Sequence, residues 1–367
     1  MKERGMIPRT PKILIVKLSA IGDVVHTLPA LNALRRMRPQ AHITWLVEEA
    51  AADLVIGHQA IDRVLVSRRK RWAQGLGTDQ WRRHLRQALA FVRQLRDTRY
   101  DMVLDFQAAL KGAALIALTH ADRKIGFGSG MEHQEHSYLV LNERIPMVSM
   151  EIHALQRGLM LLASIGVPCP EVEYHLPIDE PSRQTATQLI VQQPWYKNRI
   201  PVAINPMATW DTKLWPADRF AEVADRLIED HRAAVYFTGS PGDRPAIDAI
   251  QDRMTHPTAN LAGRTTLIQL AALYQRMACV ISTDTGPMHI AAAVNTPVVA
   301  LFGPTAPWRT GPYGKEHRVI RPEMNCSPCF RRQCADRCCM DKIQPESVVQ
   351  ACADILDNLK DTGGKSE

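Results

Sequence analysis

Short apolar runs alternate with amphipathic stretches along almost the whole chain, and the pattern occurs twice. In the first half, residues 13–16, 43–47, 63–66 and 102–106 read as strands. Leu28, Leu31, Leu34 and Met37 recur at helical spacing, and residues 81–95 read as a basic amphipathic helix. The stretch VPCPEVEYHLPIDEPSR, 167–183, is rich in Pro and charge and interrupts the pattern as a linker does. The alternation then resumes. Strands are expected at 201–205, 233–238, 279–282 and 297–302, and helices at 217–231, 267–277 and 346–359, with another starting near Pro287. Strands alternating with helices select a parallel sheet covered on both faces. The expected architecture is therefore α/β: two doubly wound domains facing a cleft, with their chemistry in the turns that follow strands. The expected divisions are 1–178, 179–345, and a final helix and tail, 346–367, packing back on the first domain.

Composition narrows the class of function. The chain has 367 residues, 46% hydrophobic and 23% charged, which is enough for two sizeable cores. Its formal net charge of +7 calls for an anionic partner: nucleic acid, a phosphorylated substrate or an acidic membrane surface. No run is long and apolar enough to span a bilayer. The N-terminus is basic (Lys2, Arg4, Arg9, Lys12), but Lys17 and Asp23 break the apolar stretch that follows, so it does not read as a signal peptide. The expected location is cytoplasmic, peripheral to a membrane.

The first strand runs into KLSAIGDVVHTLP, 17–29. A strand, a glycine and a helix in succession usually cradle a phosphate, yet Asp23 follows Gly22 and would repel one. A better cradle is STDTGPMHIAAA, 282–293. There Thr285, Gly286 and Pro287 open a helix whose free N–H groups can hold a diphosphate, and His289 adds a donor. The plainer reading is a capped turn, with Thr285 as cap and Asp284 as its partner. NPMATWDTKLWP, 205–216, places Thr209, Thr212 and Lys213 in one loop, where the lysine can neutralise a leaving diphosphate. The alternative is a solvated loop lysine. In TGSPGDRPAID, 238–248, Asp243 can bind ribose hydroxyls or cap a helix. No D-x-D motif occurs, which points to leaving-group stabilisation without a divalent metal.

Taken together, ILIVKLSAIGDVVHTLPAL, WLVEE, LDFQAALKGAAL, KLWP, STDTGPMHIAAA and LFGPT resemble glycosyltransferase family 9, the lipopolysaccharide heptosyltransferases. The N-terminal half is most similar to the heptosyltransferase I branch. The resemblance implies a GT-B fold of two Rossmann-like domains, the C-terminal one holding the donor. It implies inverting transfer of L-glycero-D-manno-heptose from ADP-heptose to the Kdo region of lipid A at the inner membrane. Asp23 matches the general base. Lys213, with Thr209 and Thr212, matches the donor-phosphate loop, and Asp284, Thr285, Gly286 and His289 match the donor-binding turn. Asp243 is a looser match to the ribose-binding acid.

The basic run Arg68, Arg69, Lys70 and Arg71, with Arg82, Arg83 and Arg86 following on the next helix, is a solvated face or a dock for the anionic head of a lipid acceptor. Lys17, Gln107 and Lys111 are expected beside it on the acceptor side. In CSPCFRRQCADRCCMDKI, 326–343, Cys326, Cys329, Cys334 and Cys339 have a four-thiolate pattern that can hold structural Zn or Fe. Free packed thiols or adventitious disulfides explain the same pattern. No cofactor is expected for catalysis. The rival readings are a metal-stabilised nucleic-acid-binding protein, a sugar-nucleotide epimerase, and a relative that uses another donor or the second heptose position. Against the first, the basic residues do not interleave with stacking aromatics, and no nucleic-acid partner is expected.

Overall fold

The computed structural model describes residues 10–75, 77–131 and 135–363, with only the backbone at 359–363. Lys2, Arg4 and Arg9 of the basic N-terminus and the last tail residues, 364–367, lie outside the described residues. The chain divides into two compact units, Met1–Pro177 and Ile178–Glu367, one residue from the expected boundary.

The first unit holds strands β1 (Lys12–Val16), β2 (His42–Glu48), β3 (Arg63–Ser67), β4 (Arg99–Asp105), β5 (His120–Phe127) and β6 (Glu143–Ile145). Its helices are α1 (Ile21–Met37), α2 (Arg69–Gly75), α3 (Trp81–Arg96), α4 (Leu110–Leu118) and α5 (Ala154–Ala163). The second unit holds β7 (Ile200–Asn205), β8 (Ala233–Phe237), β9 (Ala259–Asn260), β10 (Cys279–Thr283), β11 (Val298–Leu301) and β12 (Arg318–Ile320). Its helices are α6 (Glu180–Val191), α7 (Ala217–His231), α8 (Arg244–Gln251), α9 (Leu267–Tyr274) and α10 (Gly286–Ala293). They are followed by α11 (Pro307–Thr310), α12 (Cys338–Asp341) and α13 (Pro345–Gly363).

The first sheet runs β3-β2-β1-β4-β5-β6 and the second β12-β11-β10-β7-β8-β9. Every pairing is parallel. Counted from its own first strand, the second sheet repeats the order of the first, and both follow the Rossmann order. Central strands are buried on both faces, which is why they read as unbroken apolar runs: Leu14, Ile15 and Val16 are fully covered. In such sheets the strand order reverses between the first and fourth strands, and ligands collect beyond their carboxyl ends. Here those strands are β1 and β4 in one unit and β7 and β10 in the other.

Two expectations change. Gly22 does not make the turn after β1. It lies with Asp23 in the first helical turn of α1, which begins at Ile21 and carries Pro29 in its interior. Residues 24–34 of α1 are buried all round, so the helix shows little amphipathic signal to mark where it starts. The final helix α13 lays Val348, Val349, Cys352, Ile355 and Leu356 into the core of the second unit, beside Cys279 and Val299. Its apolar face is thus part of that core. Among the described residues, no helix is long and apolar enough to cross a membrane.

Candidate active site

In the first unit, the chain leaves β1 and turns through residues 17–20 before entering α1. Asp23, at the third helical position, reaches back to accept the Ala20 N–H at 3.1 Å. An acid here satisfies an orphan donor and suits the positive end of the helix dipole. The same placement leaves its carboxylate 40% exposed, with Lys17 Nζ 3.9 Å away. Lys17 is itself fixed, donating to the Phe106 carbonyl at 3.0 Å.

The β4–α4 turn braces this segment from the neighbouring strand. Gln107 Oε1 accepts from the Leu18 and Ser19 N–H groups at 2.8 and 3.1 Å. Lys111 Nζ donates to Ser19 Oγ. Gln107 is held in turn by Asp105, whose Oδ1 accepts from the Gln107 and Ala108 N–H groups at 2.9 and 3.1 Å. Asp105 is buried, and burial pushes its carboxyl up to about 6 against the opposing pull of those donors and of Lys17. Burial likewise lowers the pKa of Lys111. Gln107 Oε1 and Lys111 Nζ, expected on the acceptor side, thus bond to the turn that leads to Asp23.

A pocket of about 200 Å³ opens here, lined by Lys17, Asp23, His26, Phe106, Gln107 and Arg157 among others. Sequence reasoning missed His26 and Arg157. The His26 ring packs edge-on against His153 at 4.9 Å. His153 caps α5 and Arg157 follows four residues later, so the spacing alone puts both on one helical face. Arg68, Arg69 and Arg71 are not a free cationic dock. Arg68 and Arg69 pair with Glu49 and Glu48 at 3.0 and 3.1 Å, and Arg71 lies 3.9 Å from Glu49. The two acids of WLVEE offset part of the charge of the run.

In the second unit, Lys213 ends the short 3₁₀ turn Asp211–Lys213 after β7. Its ammonium donates to Asp284 Oδ2 at 2.6 Å and to the Asp284 carbonyl at 3.2 Å, and sits 4.4 Å from the Trp210 ring centre. Asp284 follows β10, is nearly covered, and also accepts from Thr305 Oγ1 at 2.7 Å. Its role in the turn is therefore to anchor the lysine. Thr285 is the extended N-cap residue of α10, but its side chain makes no capping bond, contrary to the capped-turn reading. Gly286 opens the helix and His289 is buried within it.

Thr212 is not available to a ligand: it is buried and donates to the Arg331 carbonyl at 2.8 Å. Thr209 is exposed in the same loop. Asp243 accepts the Ser240 N–H at 2.7 Å, the helix-capping alternative. Arg337 donates to the Asp211 carbonyl at 3.4 Å, so the cysteine-rich segment buttresses the Lys213 loop from two points.

All eight cysteines are free thiols. Cys326, Cys329, Cys334, Cys338 and Cys339 line one pocket of about 190 Å³. Burial, followed by charged neighbours, raises the Cys338 thiol, while burial and the neighbouring thiols raise Cys339. Cys334 turns its sulfur to the Asp336 carbonyl at 2.8 Å. Among the described residues, no three His, Cys, Asp or Glu side chains converge as metal ligands, so the cluster as it stands does not present the tetrahedral set of Zn or Fe.

The comparisons with known proteins agree with the motif resemblance. Residues 88–340 match the model of glycosyltransferase family 9 (heptosyltransferase). Lipopolysaccharide heptosyltransferase 1 of Pseudomonas aeruginosa is 30% identical over 332 residues, covering 88% of this chain and 87% of that protein. The Escherichia coli K12 protein of the same name is 28% identical, covering 84% of this chain and 93% of that protein. The solved structure of E. coli heptosyltransferase WaaC with ADP superposes with a TM-score of 0.75 at 25% identity, covering 94% of this chain and 99% of that one. With a family match over most of its length and two Rossmann-like units of the GT-B kind, the chain belongs to glycosyltransferase family 9, the heptosyltransferases.

Proposed function

We propose that this enzyme transfers L-glycero-D-manno-heptose from ADP-heptose to the Kdo region of lipid A, with inversion and without a divalent metal, at the cytoplasmic face of the inner membrane. The observation that carries the reading is the Lys213 ammonium at the β7–β10 switch point. Two of its three N–H bonds go to Asp284, which leaves the third for a diphosphate oxygen. The N–H groups that open α10 and the uncommitted Thr285 hydroxyl add donors without a metal. Asp284 beside a diphosphate would repel it if bare, but Lys213 and Thr305 offset its charge.

Asp23 is then the base. It takes the proton of the acceptor hydroxyl as that oxygen attacks the anomeric carbon opposite the leaving ADP. Its carboxylate is exposed enough to reach substrate, and its helix position is fixed by the Ala20 bond. Base and diphosphate donors stand on different units. Arg157 and Lys17 supply cations to the acceptor pocket, as acceptor carboxylates require. The adenosine reading draws on the ADP-bound relative; Asp243, which caps its helix with one carboxylate oxygen, keeps the other for ribose. We assign no metal to the cysteine cluster.

The test is a panel of sugar nucleotides with and without Kdo₂-lipid A, read by mass spectrometry of the lipid. One heptose added only from ADP-heptose supports the reading. Transfer from another sugar nucleotide, or only to an acceptor that already carries one heptose, contradicts it. Donor isomerisation without acceptor would point to an epimerase.

A further inference from the structure

Helix α3 carries an apolar strip that the core does not use. Its inner face buries Phe91 and Leu95, with Val92 and the ring of Trp72 packed beside them. Trp81, Leu85 and Leu89 are instead 44%, 41% and 49% exposed. They stand four residues apart and therefore line up along one side of the helix. Scattered exposed apolar side chains are ordinary, but three in register on a single helix are not scattered.

The charges on this helix are of one sign. Between residues 81 and 96 there are five arginines, Arg82, Arg83, Arg86, Arg93 and Arg96, and no acid. Arg82, Arg86 and Arg93 occupy the next strip round the helix from the apolar one. Among the described residues, Arg82, Arg83, Arg86 and Arg93 make no side-chain hydrogen bond or ion pair. Arg68 and Arg69 differ, being paired with Glu49 and Glu48. Arg82 stacks over the Trp81 ring at 5.4 Å, keeping its charge at the edge of the apolar strip.

We infer that α3 is an interfacial helix that seats the first unit on an anionic lipid surface. Trp81, Leu85 and Leu89 enter the headgroup boundary and the arginine row contacts lipid phosphates. A row of unpaired arginines complements an anionic surface and opposes docking a second copy of the same helix on itself. A nucleic acid would use the charge but leave the apolar strip in water. The inference rests on the proposed lipid acceptor only for its purpose; the binding itself does not require turnover.

The test is co-sedimentation of the full-length protein with phosphatidylglycerol–phosphatidylethanolamine vesicles and with phosphatidylcholine vesicles. Wild type should bind the anionic vesicles at least tenfold more tightly. Trp81→Ser/Leu85→Ser/Leu89→Ser and, separately, Arg82→Gln/Arg86→Gln/Arg93→Gln should each weaken that binding at least tenfold. Leu85→Ser alone should give a partial loss and guards against misfolding of the triple variants. Ile56→Ser/Met160→Ser, at other exposed apolar positions, should bind within twofold of wild type. Equal binding to both vesicle types, undiminished binding by the apolar triple variant, or conversion of a dimer to a monomer by that variant would overturn the inference. So would competition by nucleic acid that depends on the arginines alone. Lost vesicle binding with intact transfer to detergent-dispersed acceptor, measured on wild type, would sink the docking surface and leave the proposed reaction standing. Vesicle binding without any transfer would do the reverse.

Discussion

The two switch points have the same topology but hold their key residues in opposite ways. At β1–β4, Asp23 is left 40% exposed, and its surroundings are stiffened by hydrogen bonds to the backbone through Gln107 and Asp105. At β7–β10, Lys213 is 15% exposed and is pinned by direct charge to Asp284, 7% exposed. On the proposed roles, a base must reach a mobile acceptor and keep an open carboxylate, which indirect support allows. On the same proposal, a phosphate-binding cation waits in a nearly dry site, where an unpaired charge is costly and an ion pair offsets it. The duplicated fold supplies the location, and the turn residues decide which chemistry sits there.

Variants that break this contrast should separate the two sites. Asp23→Asn and Lys213→Ala carry the largest expected effects, each lowering turnover by roughly a thousandfold. Only Lys213→Ala should also destabilise the fold, by about 3 kcal/mol, because it strands a buried Asp284 charge. Equal thermal stability of the two variants would break the contrast. Next comes Gln107→Leu, which leaves the Leu18 and Ser19 N–H groups without their acceptor. Its kcat should fall about tenfold, in keeping with the cost of about 1–3 kcal/mol for an unsatisfied buried group, with KM for the acceptor nearly unchanged. Gln107→Glu keeps both bonds but brings a like charge toward Asp23, so activity should persist with the acidic limb of the pH–rate profile moved upward. A raised acceptor KM with unchanged kcat would make Gln107 a substrate ligand instead.

Smaller effects are expected at the supporting charges. Burial raises Asp105 from 3.8 to about 6, so the native state holds its proton longer than the unfolded chain does. This stabilising contribution is complete below about pH 4 and is lost as pH rises through about 6. The stability of Asp105→Asn relative to wild type should therefore grow between pH 4 and 7, by up to about 3 kcal/mol; a flat difference across that range contradicts the assignment. The smallest effect belongs to the ion-paired arginines. Arg69→Gln should change the acceptor KM by less than about fivefold, as a partly exposed pair is worth about 1 kcal/mol or less. A tenfold rise would return the run to the acceptor dock that its charge suggested.

The strands and the repeated architecture were legible because a buried parallel strand writes itself as a local apolar run, as residues 13–16 and 298–301 do. Asp23, Lys213 and Asp284 were legible because each falls just past such a run or in the loop it feeds. What local pattern could not carry was partnership at a distance. Gln107 meets Leu18 across 89 residues, and Thr212 meets Arg331 across 119. Hydroxyl, amide and guanidinium groups that look free in a motif are committed by contacts of that length. The start of α1 was obscured for a different reason. With both faces buried and Pro29 inside, neither amphipathic period nor proline position marks Ile21.

Calorimetric titration of ADP into Asp23→Asn, alongside wild type and Lys213→Ala, is the most direct test of the division between the units. ADP should bind Asp23→Asn with wild-type affinity and Lys213→Ala at least tenfold more weakly. Loss of ADP affinity in Asp23→Asn, or full affinity in Lys213→Ala, would contradict it.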